Sequence, residues 1–378
     1  MRPLPGMRTV AALSSLGLLA GCAGAPVSAH PAGPIRRITL PPVEIEAGGP
    51  GALELADLNA EELWSVAVAA YAAGDYEKAG RAFRRIAEIF PESPRASEAA
   101  YNAGLAFERM GEYLWALDAY EPLLDRFEGK DRRDVAFRAA EALYHLEDFG
   151  RAARLLAQIS KDETVTMPER IEALVKEGVC LLELGEDRQA EARLRRAVGR
   201  YHIERRRSEE AVDTYYPAQG QFFLGEVYRL RFERARLDPA SVDLDALADD
   251  LEHKAELLLS AQGHYLRAIR MGEPRWATAA GFQIGRLYET FFDEMVHASL
   301  PPGLEGASER LAYRALLAER VRVLLDKAMT AYERTLATAE RTGVKGAWRT
   351  RVEASLERVK AFLRKAVQPA PSPSEPKS

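Results

Sequence analysis

The 378-residue chain has two cysteines, six histidines and no apolar run approaching the roughly 20 residues that a spanning helix needs. Each scarcity excludes something. Cys22 and Cys180 allow at most one intrachain disulfide. His30, His145, His202, His253, His264 and His297 form no HExxH pair and no paired metal spacing. His253 and Glu256 share a helical face with His264 three turns on, too loose a pattern to define a site. A phosphate-cradling loop is missing too, since Gly48-Gly49-Pro50-Gly51 precedes no lysine, and no GxSxG elbow occurs. We therefore expect no catalytic residues, no metal, no cofactor and no small-molecule substrate. With 52 basic against 57 acidic residues the net charge is −5, a poor balance for binding nucleic acid.

What is present begins at the N-terminus. Arg2 and Arg8 precede an apolar run from Val10 to Ala20, which closes in Leu19-Ala20-Gly21-Cys22. That ending resembles the lipobox of bacterial lipoproteins. The resemblance implies removal of residues 1–21, acylation of Cys22 and a lipid anchor. Ala23 follows in place of the aspartate that retains such proteins in the inner membrane, so the expected location is the outer membrane, facing the periplasm. Cleavage would remove two arginines and no acid, taking the charge from −5 to −7. Cys180 would then be the sole thiol, and it reads as a small core residue.

Residues 22–58 are rich in proline and glycine and read as a tether with an r.m.s. reach of roughly 35 Å. Within it, Ile35 to Ile45 alternates with period 2 and suggests an extended segment, either plain linker or a strand that adds to a partner's sheet. The proline-rich residues 368–378 read as a disordered tail.

Between these ends a pattern recurs. Small residues sit at Ala67, Gly104, Ala140, Gly178, Gly225 and Gly285, the first four at steps of 37, 36 and 38. In those four copies a turn signal follows seven residues later, at Gly74, Gly111, Glu147 and Gly185. Alanine follows at twelve (Ala79, Ala116, Ala152, Ala190) and a bulky apolar residue at sixteen (Phe83, Tyr120, Leu156, Leu194). A bulky residue on one helix can sit over a small one on the other only where the two approach closely. Each copy therefore reads as helix, turn, helix, and one hairpin alone cannot bury its apolar face. The expected fold is all-α, a solenoid of helical hairpins. The last two steps, 47 and 60, lengthen the second helices to about Asp243–Met271 and Ser308–Thr342, or roughly 43 and 52 Å.

Gly74-Asp75-Tyr76-Glu77-Lys78-Ala79, then Phe83 and Pro91, resemble the tetratricopeptide repeat (TPR). The expected layout is four TPR-like repeats over 59–213, then long TPR-like hairpins and a capping helix over 214–367. In TPR proteins the residue three before the small position looks into a concave groove, which here would present Trp64, Tyr101, Phe137, Val175, Phe222 and Phe282. Four residues after the small position come Tyr71, Glu108, Tyr144, Leu182, Arg229 and Glu289. Aromatics with interspersed charge suit an extended or helical peptide; the alternative is that they pack against neighbouring repeats. A second candidate surface is basic, with Arg193, Arg195, Arg196, Arg200, Arg205, Arg206 and Arg207 diluted by Glu204, Glu209 and Glu210, and reads either as a solvated helix face or as a dock for an acidic partner or anionic envelope polymer.

Phe90-Pro91-Glu92-Ser93-Pro94, with Ala99-Ala100-Tyr101 after it, resembles the repeat junctions of BamD-type lipoproteins and of the Tol-Pal-associated TPR protein. The region from Trp276 to Tyr288 and the helix beyond it resemble large envelope TPR proteins of δ-proteobacteria. The first likeness implies a β-barrel assembly accessory. The second implies an adaptor in a trans-envelope machine for motility or secretion, the reading placed first. A cell-wall or polysaccharide-binding module is the third.

Overall fold

The computed structural model describes residues 58–208, 212–237, 244–298 and 306–367, together with Leu55, Leu300 and Leu304. The signal segment, Cys22, the tether with its 35–45 stretch, and the 368–378 tail lie outside the described residues. Among those described, every regular element is helical. In order they are α1 (Ala60–Ala73), α2 (Tyr76–Ile89), α3 (Ala96–Met110), α4 (Tyr113–Tyr120), α5 (Leu123–Arg126), α6 (Gly129–His145) and α7 (Phe149–Lys161). There follow α8 (Met167–Glu183), α9 (Asp187–Arg207), α10 (Tyr215–Arg234), α11 (Leu244–Arg270), α12 (Pro274–His297), α13 (Ala307–Arg341) and α14 (Ala347–Val367). No helix among the described residues is long and apolar enough to cross a membrane.

Local chemistry sets the boundaries. The Asn59 side chain accepts from the Glu61 and Glu62 amides at 3.0 Å, while the Glu62 carboxylate accepts from the Asn59 amide at 2.9 Å. This capping box starts α1. Gly74, Gly111 and Gly185 end the first helices of their hairpins with φ of 82°, 78° and 76°. Glu147, at φ 62°, does the same and is the one non-glycine residue with positive φ among those described. The backbone there adopts the left-handed cap without the residue that favours it. One boundary departs from the helix-turn-helix reading of the second copy. Its second helix stops at Tyr120 and resumes as α5 after Pro122, whose ring clashes with a carbonyl one turn back and which has no amide to donate.

Consecutive helices pack as hairpins, and the chain divides into two compact units between Leu155 and Leu156, inside α7. In the first unit the alanine seams carry the core: Ala67, Ala79, Ala103 and Ala116 are fully buried, and Tyr120 occupies the place that a Cβ on Gly104 would take. In the second, a Cβ on Gly178 would lie 2.7 Å from Leu194 Cγ, while Tyr265 covers Gly225 and Tyr332 covers Gly285. The small-over-large contact therefore persists through the long hairpins, although the large residue now comes 40 and 47 positions later instead of sixteen. Their second helices, α11 and α13, begin and end within one residue of the expected bounds. Finally α14 packs on α12 and α13, burying Val352, Leu356, Val359 and Leu363. Cys180 is buried on α8 as expected.

Candidate functional site

Within the first unit, contacts between first helices show which face they share. Arg95, at the start of α3, lays its guanidinium 4.5 Å from the Trp64 ring centroid on α1 and pairs with Glu61 at 3.1 Å. Asp134 on α6 accepts a hydrogen bond from Tyr101 on α3, and Arg138 on α6 pairs with Glu108 on α3 at 2.8 Å. Each first helix is thus tied to the one before it by side chains from the next repeat. The aromatics lie along these ties: Trp64, Tyr101 and Phe137 are all half-buried. Trp64 meets Phe83 edge-on at 5.3 Å, and Tyr101 meets Tyr120 at 5.9 Å. Tyr71 is half-buried against Tyr76 at 5.2 Å, whereas Tyr144 is buried, edge-on to Phe149 at 5.2 Å.

Electrostatics fixes this face rather than activating it. Burial raises the Glu108 pKa, with the Arg138 charge and the Tyr120 hydroxyl pulling the other way. Tyr101 is pushed up to about 12, first by burial and then by Asp134, so its hydroxyl remains a donor at every physiological pH. Tyr120 donates to Glu108 at 3.0 Å. A carboxylate held between a phenol and a guanidinium serves to position other groups.

In the second unit the same sequence positions have a different fate. Phe222 is 2 % exposed and lies among Tyr265, Trp276 and Trp348, while Phe282 is 7 % exposed against Tyr332 and Trp348. Both are core, and so is Val175. Trp348 at the head of α14 reaches both phenylalanines, closing over the positions expected to line a groove. Arg229 is engaged by Glu226 at 2.8 Å and Glu233 at 2.6 Å; burial works against its charge, but these carboxylates hold its pKa above the usual value. Glu289 is buried, accepting from Tyr332 and pairing with Arg358 of α14 at 3.0 Å.

Among the described residues, a Tyr–Glu–Arg group therefore stands at three of the small-over-large contacts: Tyr120–Glu108–Arg138, Tyr265–Glu226–Arg229 and Tyr332–Glu289–Arg358. Sequence reasoning missed it and the role of Trp348. The usable signal was the tyrosine of each small-over-large contact, whose buried hydroxyl needs an acceptor.

The basic residues on α9 also separate. Arg193 bonds the buried Glu177 at 2.7 Å. Arg196, Arg205, Arg206 and Arg207 are exposed and Arg200 half-buried, the last three of the exposed set closing the C-terminal turn of α9, where cations meet the helix dipole favourably.

The family model for the tetratricopeptide repeat matches residues 63–93 and 172–201, which hold α1 with α2 and α8 with α9. Two hairpins of the helical array are therefore matched as tetratricopeptide repeats. No curated protein matches it. Among solved structures, the chain is similar to the apo form of RapI at 11 % identity, covering 82 % of this chain and all of that one, with a TM-score of 0.42. It is similar also to a TPR protein from Parabacteroides merdae at 15 % identity, covering 80 % and 98 %, TM-score 0.38. A third is a Podosopora anserina kinesin light chain with TPR-like repeats, at 14 % identity, 54 % and 93 % coverage and a TM-score of 0.38.

Proposed function

We propose that this TPR protein is a non-enzymatic adaptor that holds a protein partner on the first-helix face of its first unit. The observation that carries the proposal is the half-buried row Trp64, Tyr101 and Phe137, set on neighbouring helices that are locked together by Arg95, Asp134 and Arg138. Rings already held in place lose little rotamer freedom on binding, so burying their remaining area favours association. An extended or helical peptide is the segment that such a row accommodates. Changing Trp64, Tyr101 and Phe137 together to alanine is expected to abolish partner recovery at temperatures where the helical signal still matches that of the parent, the lost ring packing lowering the melting temperature only modestly. A large fall in melting temperature, with partner binding following it, would assign the row to packing.

Location completes the proposal. The Leu19-Ala20-Gly21-Cys22 sequence supports a lipid on Cys22, an outer-membrane anchor and a periplasmic face, with the adaptor serving a trans-envelope machine. Cys22→Ser is expected to move the protein from the membrane to the soluble fraction, and unchanged fractionation would remove the anchor from the proposal. Affinity purification after crosslinking then decides the assembly: motility or secretion proteins support the machine, barrel-assembly proteins replace it with a BamD-type role, and recovery with purified cell wall points to envelope polymer.

A further inference from the structure

A second surface lies in the second unit, where α9, α10 and α11 meet. Tyr228 of α10 organises it. Its ring stacks on His264 of α11 with centroids 5.4 Å apart and planes at 14°, while the Arg231 guanidinium lies 5.0 Å from its centroid. Its hydroxyl donates to Glu191 at 2.8 Å and accepts from Arg195 at 2.9 Å, both on α9. Glu191 also pairs with Arg195 at 2.8 Å and with Arg231 at 2.7 Å.

One carboxylate thus serves two arginines, and two more stand beside them. Arg267 and Arg270, exposed near the end of α11, have no acid within ion-pair distance among the described residues. Arg267 folds back along its own helix, with its terminal nitrogens 3.7 and 3.8 Å from where a Gly263 Cβ would be. Its pKa is lowered, first by burial and then by the charges of Arg195 and Arg270. His264 is held near neutral form in the same field: burial, then Arg267 and Arg195, bring its pKa down to about 4. Its Nδ1 is engaged by Gln221 Oε1 at 2.9 Å.

We infer that Arg195, Arg267 and Arg270, with Arg231 behind them, form a docking site for an acidic segment of a protein partner, in which carboxylates supply the countercharge that Glu191 alone does not. Guanidinium forks match carboxylates in pairs, and clustered like charges gain most when such a group arrives. A long polyanion or an anionic membrane would also meet the remainder of a chain whose net charge is −5 and be repelled by it, whereas a short acidic segment meets only this surface. The inference rests on reading the chain as a protein-binding adaptor but uses different helices and a different ligand chemistry. It also relocates the basic surface, from the length of α9 to a crossing of α9, α10 and α11.

The test is fluorescence anisotropy of the full-length chain with a labelled oligoglutamate peptide and its oligoglutamine counterpart. Oligoglutamate is expected to bind at about 50 mM salt and to weaken severalfold by about 300 mM, with no binding of the counterpart. Arg267→Glu with Arg270→Glu should weaken binding by about tenfold or more. Arg334→Glu with Arg341→Glu, an equal change of charge on the exposed side of α13, should leave it within about twofold. If the reversed pair does not fold, Arg267→Gln with Arg270→Gln replaces it, and a severalfold weakening is expected. Trp64→Ala with Tyr101→Ala should leave oligoglutamate binding unchanged, so failure of the first-unit groove would not register here. Equal binding of the two peptides, equal loss in the α13 variant, or tight binding of heparin without binding of oligoglutamate would each overturn the inference.

Discussion

His264 shows how a single side chain links the packing of the second unit to pH. It is 5 % exposed, stacked on Tyr228 and bonded to Gln221, and after burial the charges of Arg267 and Arg195 weigh against its protonation. Unfolded, it takes up a proton near pH 6.5; folded, it does so only near about 4. Its contribution to stability is therefore complete above pH 6.5 and is lost as pH falls from there toward 4, because the unfolded chain binds the proton first. The ceiling is about 3 kcal/mol, from about 1.4 kcal/mol per pKa unit. Urea unfolding at intervals between pH 7 and 4 should show this decline, and His264→Asn, which keeps a donor toward Gln221, should flatten it. A decline of equal size in both proteins would assign the pH dependence to other groups. In the sequence, His264 could be read only as one of six scattered histidines, since the tyrosine, glutamine and arginines that define it come from α9, α10 and another turn of α11.

At the level of helices, the pattern of small residues, caps and bulky partners left little to discover about where elements start and stop. Three capping glycines, Glu147 and the ends of α11 and α13 all follow from it. Spacing could not say which long helix face meets which partner, because lengthening the second helices moves the covering tyrosine to a new offset. Nor could it say that α14 would cover Phe222 and Phe282, since a capping helix leaves no trace in the repeat it closes. Lys254 shows how the longer hairpin is joined. It is 1 % exposed on α11, donating to the carbonyls of Phe232 at 2.8 Å and Ala235 at 2.5 Å at the end of α10, and pairing with Glu294 of α12 at 2.8 Å. One ammonium thereby satisfies orphan carbonyls of a helix end and neutralises a carboxylate whose pKa burial raises. Lys254→Met is expected to cost about 3 kcal/mol in urea unfolding, since it strands both carbonyls and the acid. Glu294→Gln should cost less, about 1 kcal/mol, because the lysine keeps its two carbonyls. The reverse order would mean that the ion pair, not the cap, is what Lys254 supplies.

Across the whole molecule, stability in such an array is a sum of hairpin terms and nearest-neighbour interfaces, so damage should remain close to where it is made. The small-over-large contacts allow this to be tested at one point in each unit with one chemical change. A Cβ on Gly104 would run into Tyr120, which is fully buried and bonded to Glu108; a Cβ on Gly285 would run into Tyr332, equally buried and bonded to Glu289. In both places the obstructing ring is anchored by a carboxylate and an arginine and cannot swing aside without breaking them. Gly104→Ala and Gly285→Ala should each cost about 1–3 kcal/mol, the usual consequence of overpacking a filled site. Native-state hydrogen exchange locates the loss. Gly104→Ala should speed exchange in α2, α3 and α4 and leave α12 and α13 at the parent rate, and Gly285→Ala should do the opposite. If either substitution raised exchange uniformly from α1 to α14, the chain would unfold as one cooperative body, and damage would not stay within the hairpin where it is made.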